Sequence, residues 1–164
     1  MTTYSAQDER WMRVALEEAV KATAVGEIPI GAVIVRDGEI LGKAHNYREL
    51  WQDPTAHAEI VAIRAAASAL GSWRLIDTTL YVTVEPCAMC IGAIILARIP
   101  RLVFGTRDPK AGACGSVFDL SAESRLNHQV LVTEGVLEAE CQALLQHFFR
   151  QLRAETIQTN GPSA

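Results

Sequence analysis

Between residues 79 and 84 the chain reads Thr-Leu-Tyr-Val-Thr-Val, a strand pattern too apolar for either face to meet water. Upstream, Gly31-Ala-Val-Ile-Val-Arg36 and Glu39-Ile-Leu-Gly-Lys-Ala44 flank Asp37-Gly38, a strong short hairpin signal, so the first two strands are expected to run antiparallel. Residues 5–24 are expected to be helical: Ser5 and Asp8 make a capping signature, and Met12, Ala15, Leu16, Ala19 and Thr23 share one face. Asp53-Pro54-Thr55 signals the start of an Ala-rich helix over 56–70, closed by Gly71. Pro86 suits the first position of a buried helix continuing over 87–97. Strands are expected at 101–106 and 130–132, and a last helix at 136–152 with Leu137, Cys141, Leu144, Leu145, Phe148 and Leu152 on its apolar face. This order predicts a three-layer α/β/α sandwich around one five-stranded mixed sheet.

The chain has 164 residues, with 15 Lys and Arg against 19 Asp and Glu, a formal net charge of −4. No repeat or Pro/Gly/Ser-rich linker divides it, so one domain over 1–153 with a short flexible tail, 154–164, is expected. The longest uncharged apolar stretch, Ala88 to Ala97, is about ten residues, half of the roughly 20 that a membrane span needs. Asp8, Glu9, Arg10, Arg13, Glu17 and Glu18 interrupt any secretory apolar core, so no membrane partner and a cytoplasmic address are expected. In a reducing compartment the four cysteines read as free, catalytic or metal-bound. Arg98, Arg101, Arg107 and Lys110 stand against only Asp108 between residues 98 and 110. That run reads either as a basic ridge or as single charges solvating a helix end and a strand start.

Cys87 and Cys90 are three apart at an expected helix start, which puts both thiols on one face, about 5–6 Å apart at Cβ. Helix N-terminal amides favour the thiolate form. Alone, the pair reads as a redox or a structural-zinc motif more readily than as a catalytic metal site. The mixed sheet sets the starts of two helices side by side at its carboxyl edge, and His57-Ala-Glu59 begins the other one. His57 then completes a Cys2His donor set whose fourth tetrahedral position is left for water, the mark of a catalytic zinc. Glu59 lies about 200° around a regular helix from His57, so both reach one site only with His57 at the helix end. Not being a ligand, Glu59 is free to move protons. Taken singly, His57 also reads as a partly buried histidine and Glu59 as a first-turn carboxylate favoured by the helix dipole. A closed zinc site completed by Cys114, His45 or His128 has no second ligand at motif spacing, and thioredoxin-like redox leaves the His-x-Glu pair idle.

His57-Ala-Glu59 followed by Pro86-Cys-Ala-Met-Cys90 resembles the signature of the zinc-dependent cytidine deaminase-like superfamily. Within it, residues 8–153 are similar to the bacterial tRNA-specific adenosine deaminases, notably in Ile28-Pro-Ile-Gly-Ala-Val33, Phe104-Gly-Thr-Arg-Asp-Pro-Lys110 and Glu140-Cys-Gln-Ala-Leu-Leu-Gln-His-Phe-Phe-Arg150. Thr106, Ser72 and Cys114 depart from the residues commoner there. The resemblance implies a CMP/dCMP-type deaminase domain, one Zn2+ per subunit and a homodimer. It implies hydrolytic conversion of adenosine to inosine at the wobble position of a tRNA anticodon stem-loop, that of an arginine tRNA. It further implies that Glu59 is catalytic, that His57, Cys87 and Cys90 hold the metal, that Asn46 holds the purine by its amide, and that Ile30 walls the pocket. Main-chain groups of Ala58 and of Val84 or Glu85 would hold the base, and Asp108, Lys110, Asn127, His128, Phe149, Arg150 and Arg153 would contact RNA. Without the resemblance Asn46 reads as a turn asparagine and Phe149 as helix packing, the role assigned to Phe148. The alternative with the same chemistry is a deaminase of free guanine, cytosine or a nucleotide. A third reading is a catalytically silent binding module with structural zinc.

Overall fold

The computed structural model describes residues 4–161. In chain order its elements are α1 (Ala6–Ala24), β1 (Gly31–Arg36), β2 (Glu39–His45), α2 (Arg48–Trp51), α3 (Ala58–Leu70), β3 (Thr79–Val84), α4 (Ala88–Leu96), β4 (Arg101–Thr106), β5 (Leu131–Thr133) and α5 (Glu138–Thr159). The five strands lie in the order β2-β1-β3-β4-β5; β1 is antiparallel to both neighbours, while β3, β4 and β5 run parallel. Asp37 and Gly38, at φ 52° and 75°, make the left-handed pair that a tight hairpin requires between β1 and β2.

Period-two alternation sends the strand residues into two cores. Ala32, Ile34, Leu80, Val82, Leu102 and Phe104 pack with Ala58, Ala62 and Ala66 of α3 and Ile91 and Ile94 of α4. Val33, Val35, Tyr81 and Val103 pack on the other face with Trp11, Met12 and Ala15 of α1 and Cys141 of α5. Both faces of the sheet are therefore dry, which is why β3 and β4 carry no polar side. Small residues let the layers approach: a Cβ at Gly31 would overlap the Ala15 carbonyl oxygen of α1.

Several element ends differ from expectation for local reasons. The Asp53 side chain accepts hydrogen bonds from the Thr55 amide and hydroxyl, at 2.8 and 2.7 Å, so Asp53-Pro54-Thr55 forms a separate turn. α3 then begins at Ala58 with His57 as its N-cap. Pro86 likewise stands outside α4, whose N-cap is Cys87. The unexpected short helix α2 follows Asn46, whose side-chain oxygen accepts from the Arg48 amide at 3.1 Å. β5 begins one residue late, at Leu131. α5 ends at Thr159 rather than 152, so residues 154–159 of the expected tail are helical, and 162–164 lie outside the described residues. No helix of the described residues is long and apolar enough to cross a membrane.

Candidate active site

The carboxyl edge of β3 faces two helix starts at once. His57 caps α3, Cys87 caps α4, and Cys90 sits in the first turn of α4. The donor atoms of these three residues lie within 4.8 Å of one another. Nδ1 of His57 is 3.7 Å from Cys87 Sγ and 3.5 Å from Cys90 Sγ. In a tetrahedral zinc site, with Zn–S about 2.3 Å and Zn–N about 2.0 Å, nitrogen and sulfur stand about 3.5 Å apart, so the three residues fit that ion. His57 at the helix end also resolves the 200° problem, because its backbone is extended rather than helical.

The electrostatics suit a metal that takes thiolates. The Cys90 thiol and His57 bring the Cys87 thiol down to about 4, against the opposing effect of burial. Cys90 is held up by that neighbouring thiolate and by burial, and the hydrogen bond to Cys87 raises His57. A divalent cation would displace the Cys90 proton, as metal binding to thiols requires. Glu59, only 4% exposed, has its carboxyl pushed up by burial, which makes it ready to accept and return a proton.

A cavity of about 220 Å3 opens beside this group. Of the sequence-derived candidates, Ile30, Asn46, His57, Ala58, Glu59, Val84, Glu85, Cys87 and Asp108 line it. Ile28, Arg48 and Ala111 line it as well and were not anticipated; only the Ile28-Pro-Ile30 stretch offered a signal, as a neighbour of Ile30. Asn46 makes the turn bond to Arg48 through its side-chain oxygen and also borders the cavity.

A groove leads out of this cavity. A second hollow of about 350 Å3 shares Ile28, Ile30, Val84 and Asp108 with it and reaches Lys110 and Phe149. A third, of about 660 Å3, shares Arg107, Lys110, Leu145 and Phe149 with the second and follows α5 past Arg150 and Arg153. Gln142, Leu145, Gln146, Phe149, Arg150 and Arg153 form that wall because they recur at helical spacing. Phe149 is 39% exposed and Phe148 less so, as expected.

Two stretches of the sequence fall away from this groove. Asn127 and His128 do not reach this groove within one chain: β5 is parallel to β4, so residues just before β5 lie at the opposite edge of the sheet. There His128 Nε2 is hydrogen-bonded to the Ile99 carbonyl, at 2.7 Å. The basic run 98–110 is not a ridge either. β4 carries its two ends about 20 Å apart; Arg98 bonds the Ile95 carbonyl and Arg101 pairs with Asp8, leaving Arg107 and Lys110 at the groove.

A sheet of this order with a His-x-Glu helix start facing a Pro-Cys-x-x-Cys helix start defines the cytidine deaminase-like enzymes, and the chain is a deaminase of that class. It belongs to the MafB19-like deaminase family, whose model matches residues 6–153. A tRNA-specific adenosine deaminase of Bacillus subtilis is 54% identical over 147 residues, covering 90% of this chain and 91% of its own length. A solved chain from a study of A-to-I editing by tRNA:A34 deaminases is 44% identical, with a TM-score of 0.80, covering 83% of this chain and 99% of its own. A guanine deaminase of Bacillus subtilis is 36% identical with a TM-score of 0.60, covering 82% of this chain and 91% of its own.

Proposed function

We propose that this enzyme hydrolyses adenosine to inosine, releasing ammonia, at the wobble position of a tRNA anticodon loop, with that of an arginine tRNA as its substrate. The observation that carries the reading is the groove running from the small cavity along α5, lined by Arg107, Lys110, Arg150 and Arg153 with Phe149 among them. A free base needs only the inner cavity. A splayed-out loop nucleotide needs the cavity for its base, an aromatic for stacking and cations for the flanking phosphates. The tRNA-specific relatives support the same reading.

His57, Cys87 and Cys90 would hold one zinc ion. Zinc, when bound there, supplies a water acidic enough to act as nucleophile near neutral pH. Glu59 takes the proton of the attacking water and delivers it to adenine N1 as C6 is attacked, then takes the proton of the new C6 hydroxyl and passes it to the amino group, so that the C6–N bond breaks, ammonia leaves and the C6 carbonyl of inosine forms. Burial suits Glu59 to both steps, since it narrows the gap between carboxylate and carboxylic acid. Asn46, Ala58 and Val84 or Glu85 hold the base through side-chain amide and main-chain groups, and Ile30 walls it from water. Asp108 borders the mouth, and Lys110, Phe149, Arg150 and Arg153 hold the RNA beyond it.

The reading includes a homodimer and a cytoplasmic setting, where tRNA is met. Incubating the zinc-loaded protein with an unmodified arginine tRNA anticodon stem-loop, then sequencing for A-to-G readout, tests the function. Inosine confined to the wobble position is expected. Ammonia release from free guanine with the RNA untouched would overturn the reading in favour of a free-base deaminase.

A further inference from the structure

Glu85 is 3% exposed, and its carboxylate faces the loop that follows β4 rather than another element of the sheet. One oxygen, Oε1, accepts from the Asp108 amide at 3.1 Å and from the Ser116 hydroxyl. The other, Oε2, accepts from the amides of Cys114 and Ser116, at 3.0 and 3.1 Å. A carboxylate offers about four lone-pair sites, and four donors of one loop fill them. Nothing is left over for a substrate proton, which separates this glutamate from Glu59. The loop wraps tightly enough that a Cβ at Gly112 would overlap the Glu85 carboxylate. The same segment contributes Asp108 and Ala111 to the cavity and Lys110 to the groove.

We propose that Glu85 is a positioning residue: its side chain clamps residues 108–116 into the wall of the cavity and thereby sets the affinity for substrate without touching the reacting atoms. The choice of RNA as that substrate rests on the function proposed above. The clamp itself does not. Three amides spaced along an irregular segment converge on one buried anion, and when it is replaced they have no other acceptor at hand.

Glu85→Gln tests this, because it keeps the volume and turns one acceptor into a donor facing donors. Hydrogen–deuterium exchange needs no substrate: the amides of Asp108, Cys114 and Ser116 are expected to exchange at least about tenfold faster in the variant, with β3 and β4 amides unchanged. On the stem-loop, KM is expected to rise about tenfold while kcat stays within about threefold. Unchanged exchange, or a fall in kcat at constant KM, overturns the proposal. Should Glu85→Gln fail to fold, Ser116→Ala removes a single donor and is expected to raise KM about threefold at an unaltered melting temperature; an unmoved KM there overturns it too. If the wild type leaves the stem-loop unmodified, the RNA reading fails while the exchange measurement still decides on the clamp.

Discussion

Two buried glutamates border one cavity, and their surroundings give them opposite chemistries. Burial raises the Glu59 carboxyl. Burial acts on Glu85 in the same direction, but bonds from Ser116, Cys114 and Asp108 outweigh it and hold that carboxyl below its usual range. Environments that push two carboxyls apart assign their roles: Glu59 exchanges protons and Glu85 stays an anion. Only one of these was legible in the sequence. The spacing of Glu59 from His57 is a short-range pattern, whereas the donors to Glu85 lie 23 to 31 residues away, in a loop whose path no periodicity fixes. At this scale Glu59→Gln is expected to lower kcat by about 10²–10⁴-fold, the usual worth of a positioned proton carrier. Zinc content, read by elemental analysis, is expected to stay at one per chain because His57, Cys87 and Cys90 are untouched. Near-wild-type turnover in Glu59→Gln refutes the assigned proton role.

Two element ends that carry side-chain chemistry were legible, although the same kind of signal at Asp53-Pro54-Thr55 marked a turn and not the start of α3. Ser5 and Asp8 form the capping box that their spacing predicts, and the Asp37-Gly38 hairpin sits where it should. Less legible were ends set by accumulation rather than by a signal. The apolar stripe of α5 stops near Leu152, yet extending an existing helix through Arg153, Ala154 and Glu155 costs little per residue, so it continues to Thr159. The Asp8 cap holds more than its own helix. Its carboxylate accepts from Arg101 of β4 at 2.7 and 3.0 Å and from the Tyr81 hydroxyl of β3 at 3.1 Å, tying α1 to the sheet. Burial would raise this carboxyl, but Arg101, the Ser5 amide and Tyr81 overcome that and hold it at about 2. A depressed carboxyl stabilises the fold fully above its unfolded value of 3.8 and loses that contribution as pH falls through about 2. The difference corresponds to about 2 kcal/mol. Urea midpoints of wild type and Asp8→Asn are therefore expected to converge between pH 5 and pH 2; parallel pH profiles would show that the tie contributes nothing.

For the whole molecule, net charge and local charge point in different directions. A chain at −4 is expected to repel RNA at long range, yet folding gathers Lys110, Arg150 and Arg153 around one groove. None of these three has an ion-pair partner among the described residues, while Arg107 beside them is held by Glu134 through two bonds of 2.8 Å. The family resemblance implied these three cations, but charge patterning along the chain could not, because they come from the β4 exit and from a helix more than thirty residues later, whereas the contiguous run 98–110 is split between opposite edges of the sheet. Salt dependence distinguishes the folded groove from the linear run. Each phosphate contact to a single strand contributes about −0.7 to the slope of log K against log salt, so three free cations give a slope of about −2. Arg150→Ala with Arg153→Ala is expected to reduce it by about 1.4 in a filter-binding or anisotropy titration of the stem-loop. Arg98→Ala, which removes a cation at the far edge, is expected to leave the slope where it was. If Arg98→Ala flattens the titration as much as the α5 pair does, RNA crosses the molecule along the run of basic sequence and not through the groove that opens on the cavity.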